Sequence, residues 1–385
     1  MQLLGENVQH YHWGDYDYIP NLQGRAAGIE PEAELWMGAH TKSPSRVLDT
    51  NQSLDELISL NPEQALGKHA EDFNGELPYI MKILAIRSPL SLQVHPNDEQ
   101  AAAGFTDESN LEKENGSYFS PRGKEEIVCA ISDTDIKFGF RPMKDINDIL
   151  ALASNEEIRT LQELLSQRNS EQALQEAIGK ILAYQKPLVQ SFVVDILSSD
   201  PKSTLLSDRE LSYFKDLVEI YPSDPGLIIF LLMNFVTLRP GESLYVPPGI
   251  THAYLHGNAV EITSNSDNVL RCGLTPKQID HDQYLAVSSF STSQPQIQIP
   301  IDKIHTYSSP TRFSLSRLEI EHSWEVTLNG PEILISTEGS FTITSSHGQS
   351  LSVDKGMPVW IPNSDEHYQI SGTCLIFRCS TQNVD

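Results

Sequence analysis

The 385-residue chain has few cysteines, few basic residues and no long apolar run. Its four cysteines, Cys129, Cys272, Cys374 and Cys379, are scattered and form no C-x-x-C pair. This argues against a thiolate zinc site and suits free thiols in a reducing cytoplasm. Lys and Arg number 27 against 52 Asp and Glu, a net charge of −25. Such a field repels nucleic acid and anionic membranes, so neither is expected as a partner. A small anionic substrate is compatible with it if a local cluster of Lys and Arg overrides the global field. The longest apolar run, Gly226 to Met233, falls far short of the roughly 20 residues a membrane span needs, and reads as buried core. No basic start or apolar signal core opens the sequence, so the expected location is the cytoplasm. Hydrophobic residues make up 39% of the chain, the level of a soluble globular protein, here long enough for two or three domains.

What the chain does have is organised around Leu90-Ser91-Leu92-Gln93-Val94-His95-Pro96. Leu90, Leu92 and Val94 alternate with Ser91, Gln93 and His95, the period of a strand with one apolar and one polar face. Gln93 and His95 then point the same way, and an imidazole and a carboxamide oxygen aimed at one point are competent metal ligands. A strand with one wet face would show the same pattern. Pro96 ends the strand.

Elsewhere, Ser53 to Ala65 reads as a helix ended or kinked at Pro62. Leu77 to Ala85 reads as a strand with Lys82 inside it, either buried against an anion or snorkelling at an edge. Residues 104–124 read as a long polar loop. Lys124-Glu125-Glu126 then enters a strand running to Ile131. Helical periodicity fills Asp145 to about Lys186, Leu188–Leu197 and Asp208–Ile220. Phe235–Leu238 and Ser243–Val246 read as a hairpin, followed by a tight Pro-Pro-Gly turn and His252. Trp13 and Trp36 read as packed turn aromatics or as a pocket wall.

Gly241, Tyr245, Val246, Pro247, His252 and Gly257 recur at constant spacing as Gly356, Trp360, Ile361, Pro362, His367 and Gly372. Two copies of one unit suggest two jelly-roll barrels of the cupin type. Ile376 stands where the first copy has Glu261, and no Gln-x-His strand precedes the second copy, so it is expected to be metal-free. The expected fold is mainly β with a helical insert. Residues 1–144 and 223–290 would form a catalytic cupin-type barrel, 145–222 the insert and 291–385 a C-terminal jelly roll.

The candidate ligands are Gln93, His95, Glu126 and His252, an N/O set suited to zinc, cobalt, nickel or manganese. With one carboxylate the ion would keep positive charge and polarise a substrate oxygen.

His12-Trp13-Gly14, Ala33-Glu-Leu-Trp-Met-Gly-Ala-His40, the Gln93–His95 strand, Lys124-Glu125-Glu126, His252-Ala-Tyr254 and Ser266-Asp-Asn-Val-Leu-Arg271-Cys-Gly-Leu-Thr-Pro-Lys277 together resemble a type I mannose-6-phosphate isomerase. The matches run in family order from residue 12 to about 280. The resemblance implies one zinc per chain on Gln93, His95, Glu126 and His252. It also implies interconversion of mannose 6-phosphate and fructose 6-phosphate through a cis-enediol. Arg271 matches the catalytic arginine that would stabilise the enediolate. Lys124, Tyr254 and Glu261 match catalytic-pocket residues, Glu261 being a candidate base. Ser91, Lys82, Lys277 and Trp13 are implied as substrate contacts, Ser91 and Lys82 at the phosphate. A monomer is expected.

The family often has Asn-His-Lys-Pro-Glu where this chain has Arg122-Gly-Lys-Glu-Glu126, which puts the loop's shape in question and makes Glu125 a rival of Glu126 as ligand. Val94 replaces the usual Ala. Two other functions compete: a non-catalytic metal-stabilised sugar-binding protein and a cupin-type metal oxygenase. The basic residues Arg271, Lys124, Lys277 and Lys82 argue against the first. Gln93 and the same lysines argue against the second.

Overall fold

The computed structural model describes residues 1–110, 116–199, 205–292 and 294–382. Among these residues the chain is mostly strand, in eleven-, six- and four-stranded sheets, with helices concentrated between residues 143 and 232. No described helix is long and apolar enough to cross a membrane.

The sheet that carries the expected site is built on the long strand His252–Ser264. Its first half pairs with Thr134–Phe140 and, at His252, with Leu92–Val94. Its second half pairs with Tyr79–Ile86 and Glu126–Ala130. The change of partners follows a register shift between Tyr254 and His256 and the positive φ of Gly257, 115°. A Cβ at Gly257 would lie 2.5 Å from the Asp133 carbonyl oxygen, so only glycine allows the bend. The repeat position Gly372 has φ 149° and likewise sits where the strand His367–Gly372 gives way to Cys374–Thr381. The sequence echo is therefore a backbone echo.

Apolar faces fix the layers. Leu92 and Val94 are fully buried in a core shared with the helices Met143–Leu150, Glu156–Arg168, Glu171–Leu182 and Gly226–Leu232. That leaves the Ser91 and Gln93 face for the site. A second core joins Met81, Ile83, Ile127 and Ile262 to Leu315, Ile333, Trp360 and Phe377, packing the eleven-stranded sheet on the six-stranded one. The helical region is also tied by charge. Lys137, on Thr134–Phe140, and Arg141 both donate to Glu210, on the helix Asp208–Ile220, and all three are buried. A buried trio of this kind holds together because each charge is partnered.

Three expectations are corrected. The sheets are not closed barrels: the eleven-stranded path ends in the two-residue strands Ile297–Gln298 and Val8–Gln9, which do not pair with each other. Strands so short offer too few ladder bonds for closure. Met233–Leu238 and Ser243–Val246 form no hairpin. The first pairs with Thr134–Phe140 and the second with Glu126–Ala130, so the turn between them crosses from one half of the sheet to the other. The polar stretch expected as a loop over 104–124 begins inside a helix, Asp98–Asn110, while its residues 111–115 lie outside the described residues. The helix starts with a reciprocal cap: Gln100 N–H donates to Asn97 Oδ1 at 2.8 Å, and Asn97 N–H to Gln100 Oε1 at 3.0 Å.

Candidate metal centre

Cross-strand register assembles the site. Gln93 stands opposite His252 on one side and Arg271 on the other. Lys82 stands opposite Glu261 on one side and Trp36 on the other. Residues far apart in sequence thus become nearest neighbours on one face.

His95, Glu126 and His252 are buried, and one ligating atom from each lies within 4.8 Å of the others. Glu126 Oε1 is 3.0 Å from His95 Nε2, and Glu126 Oε2 is 3.4 Å from His252 Nε2. The Gln93 carboxamide is 3.4 Å from His252 Nε2. Each imidazole has its other nitrogen on a main-chain carbonyl, His95 Nδ1 on Asn268 at 2.8 Å and His252 Nδ1 on Ile250 at 2.9 Å. A carbonyl only accepts, so Nδ1 carries the proton in both rings and the Nε2 lone pairs face the common point. Burial, and after it the Lys124 ammonium, push the His95 pKa down to about 3, so the ring is neutral. Burial raises the Glu126 pKa, but Lys124 and His95 outweigh it and hold the group well below the usual carboxylate range. Two imidazoles, one carboxylate and a carboxamide are a donor set that fits a zinc-type cation.

The rivalry between the two glutamates is resolved by the pleat. Glu125 turns the other way, accepting from the Tyr245 hydroxyl at 3.1 Å, while Glu126 faces the cluster. Around Glu126, Lys124 Nζ donates to Oε1 at 2.5 Å and Tyr254 OH to Oε2 at 2.9 Å. Lys124 Nζ also lies 3.1 Å from His95 Nε2.

In front of the cluster lies a cavity of about 660 Å³. Trp13, Lys82, Ser91, Gln93, Lys124 and Glu126 line it, as do Tyr254, Glu261, Arg271 and Lys277. His95 and His252 stand behind its wall. Lys82 donates to Glu261 at 2.9 Å and is held charged: burial opposes the charge, but Glu261, Glu34 and Glu126 outweigh it. Burial, with Glu126 adding to it, raises the Glu261 pKa above its ordinary value. Arg271 and Lys277 form no ion pair with a described carboxylate, and burial lowers the pKa of each. Trp13 is buried and stacks on Tyr11 at 5.8 Å between ring centroids.

Sequence reasoning missed Asp267, Lys42 and Phe119, which also line the cavity. Asp267 accepts from Lys42 at 2.6 Å and lies 3.2 Å from His40 Nε2. Burial raises the Asp267 pKa, but these two hydrogen bonds prevail and it lies below its ordinary value. The signal was available: Asp267, Val269 and Arg271 alternate, and all three face the cavity.

Residues 1–143 match the model of the type I phosphomannose isomerase catalytic domain. The chain is 32% identical to mannose-6-phosphate isomerase of Salmonella typhimurium over 98% of this chain and 99% of that one. It is 27% identical to the human mannose-6-phosphate isomerase over 86% of each. Its fold superposes on a crystal structure of mannose 6-phosphate isomerase bound with zinc and yttrium with a TM-score of 0.88, at 29% identity over 100% of both chains. The apo form from Salmonella typhimurium also gives 0.88, at 29% identity, covering 100% of this chain and 99% of that one. The chain belongs to the type I mannose-6-phosphate isomerase family.

Proposed function

We propose that this protein is a zinc-dependent aldose–ketose isomerase that interconverts mannose 6-phosphate and fructose 6-phosphate. The observation that carries the reading is the buried His95, Glu126 and His252 cluster, with Gln93 beside it, at the wall of a cavity lined by Arg271 and Lys277, which have no carboxylate partner among the described residues. Gln93, His95, Glu126 and His252 hold one zinc, which supplies a Lewis acid for the sugar oxygens. Glu261 is the base that moves the proton between C1 and C2 through a cis-enediol. Its raised pKa brings it nearer neutral pH, where proton transfer in both directions is easier. Arg271 stabilises the developing enediolate charge with its planar fork. Lys124 binds the reacting end of the sugar and Tyr254 orients Glu126, on which its hydroxyl rests. Lys277 and Ser91 contact the phosphate end, and Trp13 walls the pocket. Lys82, expected at the phosphate, is better read as the group that holds Glu261, which it faces across neighbouring strands.

The finer architecture belongs to the same reading. The two glycine-punctuated repeats are units of cupin type, residues 1–144 and 223–290 carrying the site, 145–222 the helical insert and 291–385 the second, metal-free unit. The protein acts as a cytoplasmic monomer on a small sugar phosphate and has no nucleic-acid partner.

A coupled assay on mannose 6-phosphate, run before and after chelation and again after zinc is returned, tests the reading. Turnover should vanish with the metal and return with zinc. A protein inactive on this sugar when fully loaded with zinc would refute it.

A further inference from the structure

Asp267 and Val269 face the cavity, so Asn268 between them faces the other way. It is fully buried, and its carboxamide is fully used. Oδ1 accepts from the N–H groups of Phe119 at 2.7 Å and Ser120 at 3.1 Å. Nδ2 donates to the carbonyls of Ser120 at 2.7 Å and Arg122 at 2.8 Å. Its own main-chain carbonyl takes the His95 Nδ1 proton at 2.8 Å. One residue therefore grips both the loop 119–122 and a member of the metal cluster.

That loop leads directly to Lys124 and Glu126, and its far side is equally constrained. Gly123 N–H donates to Asp98 Oδ1 at 2.8 Å, and Lys124 N–H to the Pro96 carbonyl at 2.9 Å, one residue past His95. A Cβ at Gly123 would lie 2.5 Å from the Asn97 carbonyl carbon, so the loop passes against backbone there. The loop is thus held between the segment that follows His95 and the side chain of Asn268.

We propose that Asn268 is a positioning residue that sets Lys124 and the His95 imidazole together, so that the metal cluster and the substrate-facing lysine share one frame. The carboxamide is specific to this task. Two donors and two acceptor lone pairs match two carbonyls and two N–H groups. Aspartate would set a carboxylate against the carbonyls of Ser120 and Arg122, and alanine would remove the carboxamide from four main-chain groups, of which the Arg122 carbonyl would keep the Ser266 hydroxyl at 2.9 Å. The inference rests on the zinc-isomerase reading above.

The test compares wild type, Asn268→Ala and Asn268→Ser, each alone and combined with Lys124→Ala. Zinc affinity is measured by competition with a chelator, and kcat and KM at saturating zinc. The side-chain changes should weaken zinc binding about tenfold or more and lower kcat at saturating zinc by a similar factor. In the Lys124→Ala background the kcat penalty of Asn268→Ala should shrink to less than about twofold, because the residue acts through that lysine. Asn268→Ser keeps one acceptor and serves if the alanine variant does not fold. Independent, multiplying penalties would overturn the proposal, and so would variants whose only change is a lower Tm. A wild-type protein with neither zinc affinity nor turnover would overturn the functional reading along with it, whereas a normal wild type with indistinguishable variants would overturn this inference alone.

Discussion

Lys82 and Glu261 face each other across neighbouring antiparallel strands, with Nζ 2.9 Å from Oε2 and both side chains buried beside the cavity. A buried carboxylate held by one lysine and repelled by a second carboxylate, Glu126, has a proton affinity that the lysine restrains. Glu261 works as a base only when deprotonated, so activity should fall as pH drops through its folded pKa. The acidic limb of kcat/KM is expected above the ordinary glutamate value of 4.5. Lys82→Met should move that limb to higher pH, since the restraining charge is gone. A pH–rate profile of the two proteins checks both statements. Glu261→Gln should cost about 10²- to 10⁴-fold in kcat, read at the pH optimum.

Arg271→Lys should lose turnover far more than it loses zinc. The guanidinium lines the cavity without a carboxylate partner among the described residues and is no member of the ligand cluster. Lysine keeps the charge but loses the fork that spreads donors over an enediolate. Metal analysis beside steady-state kinetics separates the two effects, and near-normal turnover would remove Arg271 from the mechanism.

The Gln93→Ala, His95→Ala double variant should lose its zinc. His367→Ala should change neither zinc content nor turnover, because His367 is exposed and belongs to no described cluster of ligating side chains. A second zinc at His367 would contradict the reading of the two repeats.

Glu210→Gln should destabilise the protein by about 3–5 kcal/mol, because it leaves the buried Lys137 and Arg141 charges facing a neutral amide. Urea unfolding gives the figure. A cost under about 1 kcal/mol would mean that this charge does not hold the helix Asp208–Ile220 to the sheet.

Asp267 makes a pH-dependent contribution. Its folded pKa lies below the ordinary 3.8, so the unfolded chain takes up a proton first as pH falls. The stabilisation is complete above about pH 4 and is lost at lower pH. Wild type should exceed Asp267→Asn by about 1 kcal/mol at pH 6, modest because Lys42 is largely exposed, and the gap should start to narrow only as pH falls below about 4.

Much of this site was legible from local pattern. The alternation of Leu92 and Val94 with Gln93 put the right face toward the metal cluster, because burying two apolar side chains on the helices fixes the strand's orientation. The glycine echo was legible because φ values such as those of Gly257 and Gly372 leave glycine as the ready choice. Pairing across the sheet was not. That Gln93 would lie between His252 and Arg271 depends on register between strands about 160 residues or more apart in sequence. The same blindness produced the false hairpin, where adjacent strands joined by a turn signal take different partners. The part of the helix Asp98–Asn110 from residue 104 onward reads as loop in the sequence because its surface is polar and lacks an apolar stripe, although Asn97 and Gln100 carry the helix start signal.

The most direct test of the proton-transfer account is to run the isomerisation in D₂O and follow the hydrogen at C2 of mannose 6-phosphate and C1 of fructose 6-phosphate. A protein base that carries the hydrogen between the carbons exchanges part of it with solvent, whereas a hydride shift does not. The account predicts measurable deuterium at those carbons, with partial transfer tolerated because a shielded base returns some of its own proton. Complete retention of the substrate hydrogen over many turnovers, with Glu261→Gln still active, would contradict it.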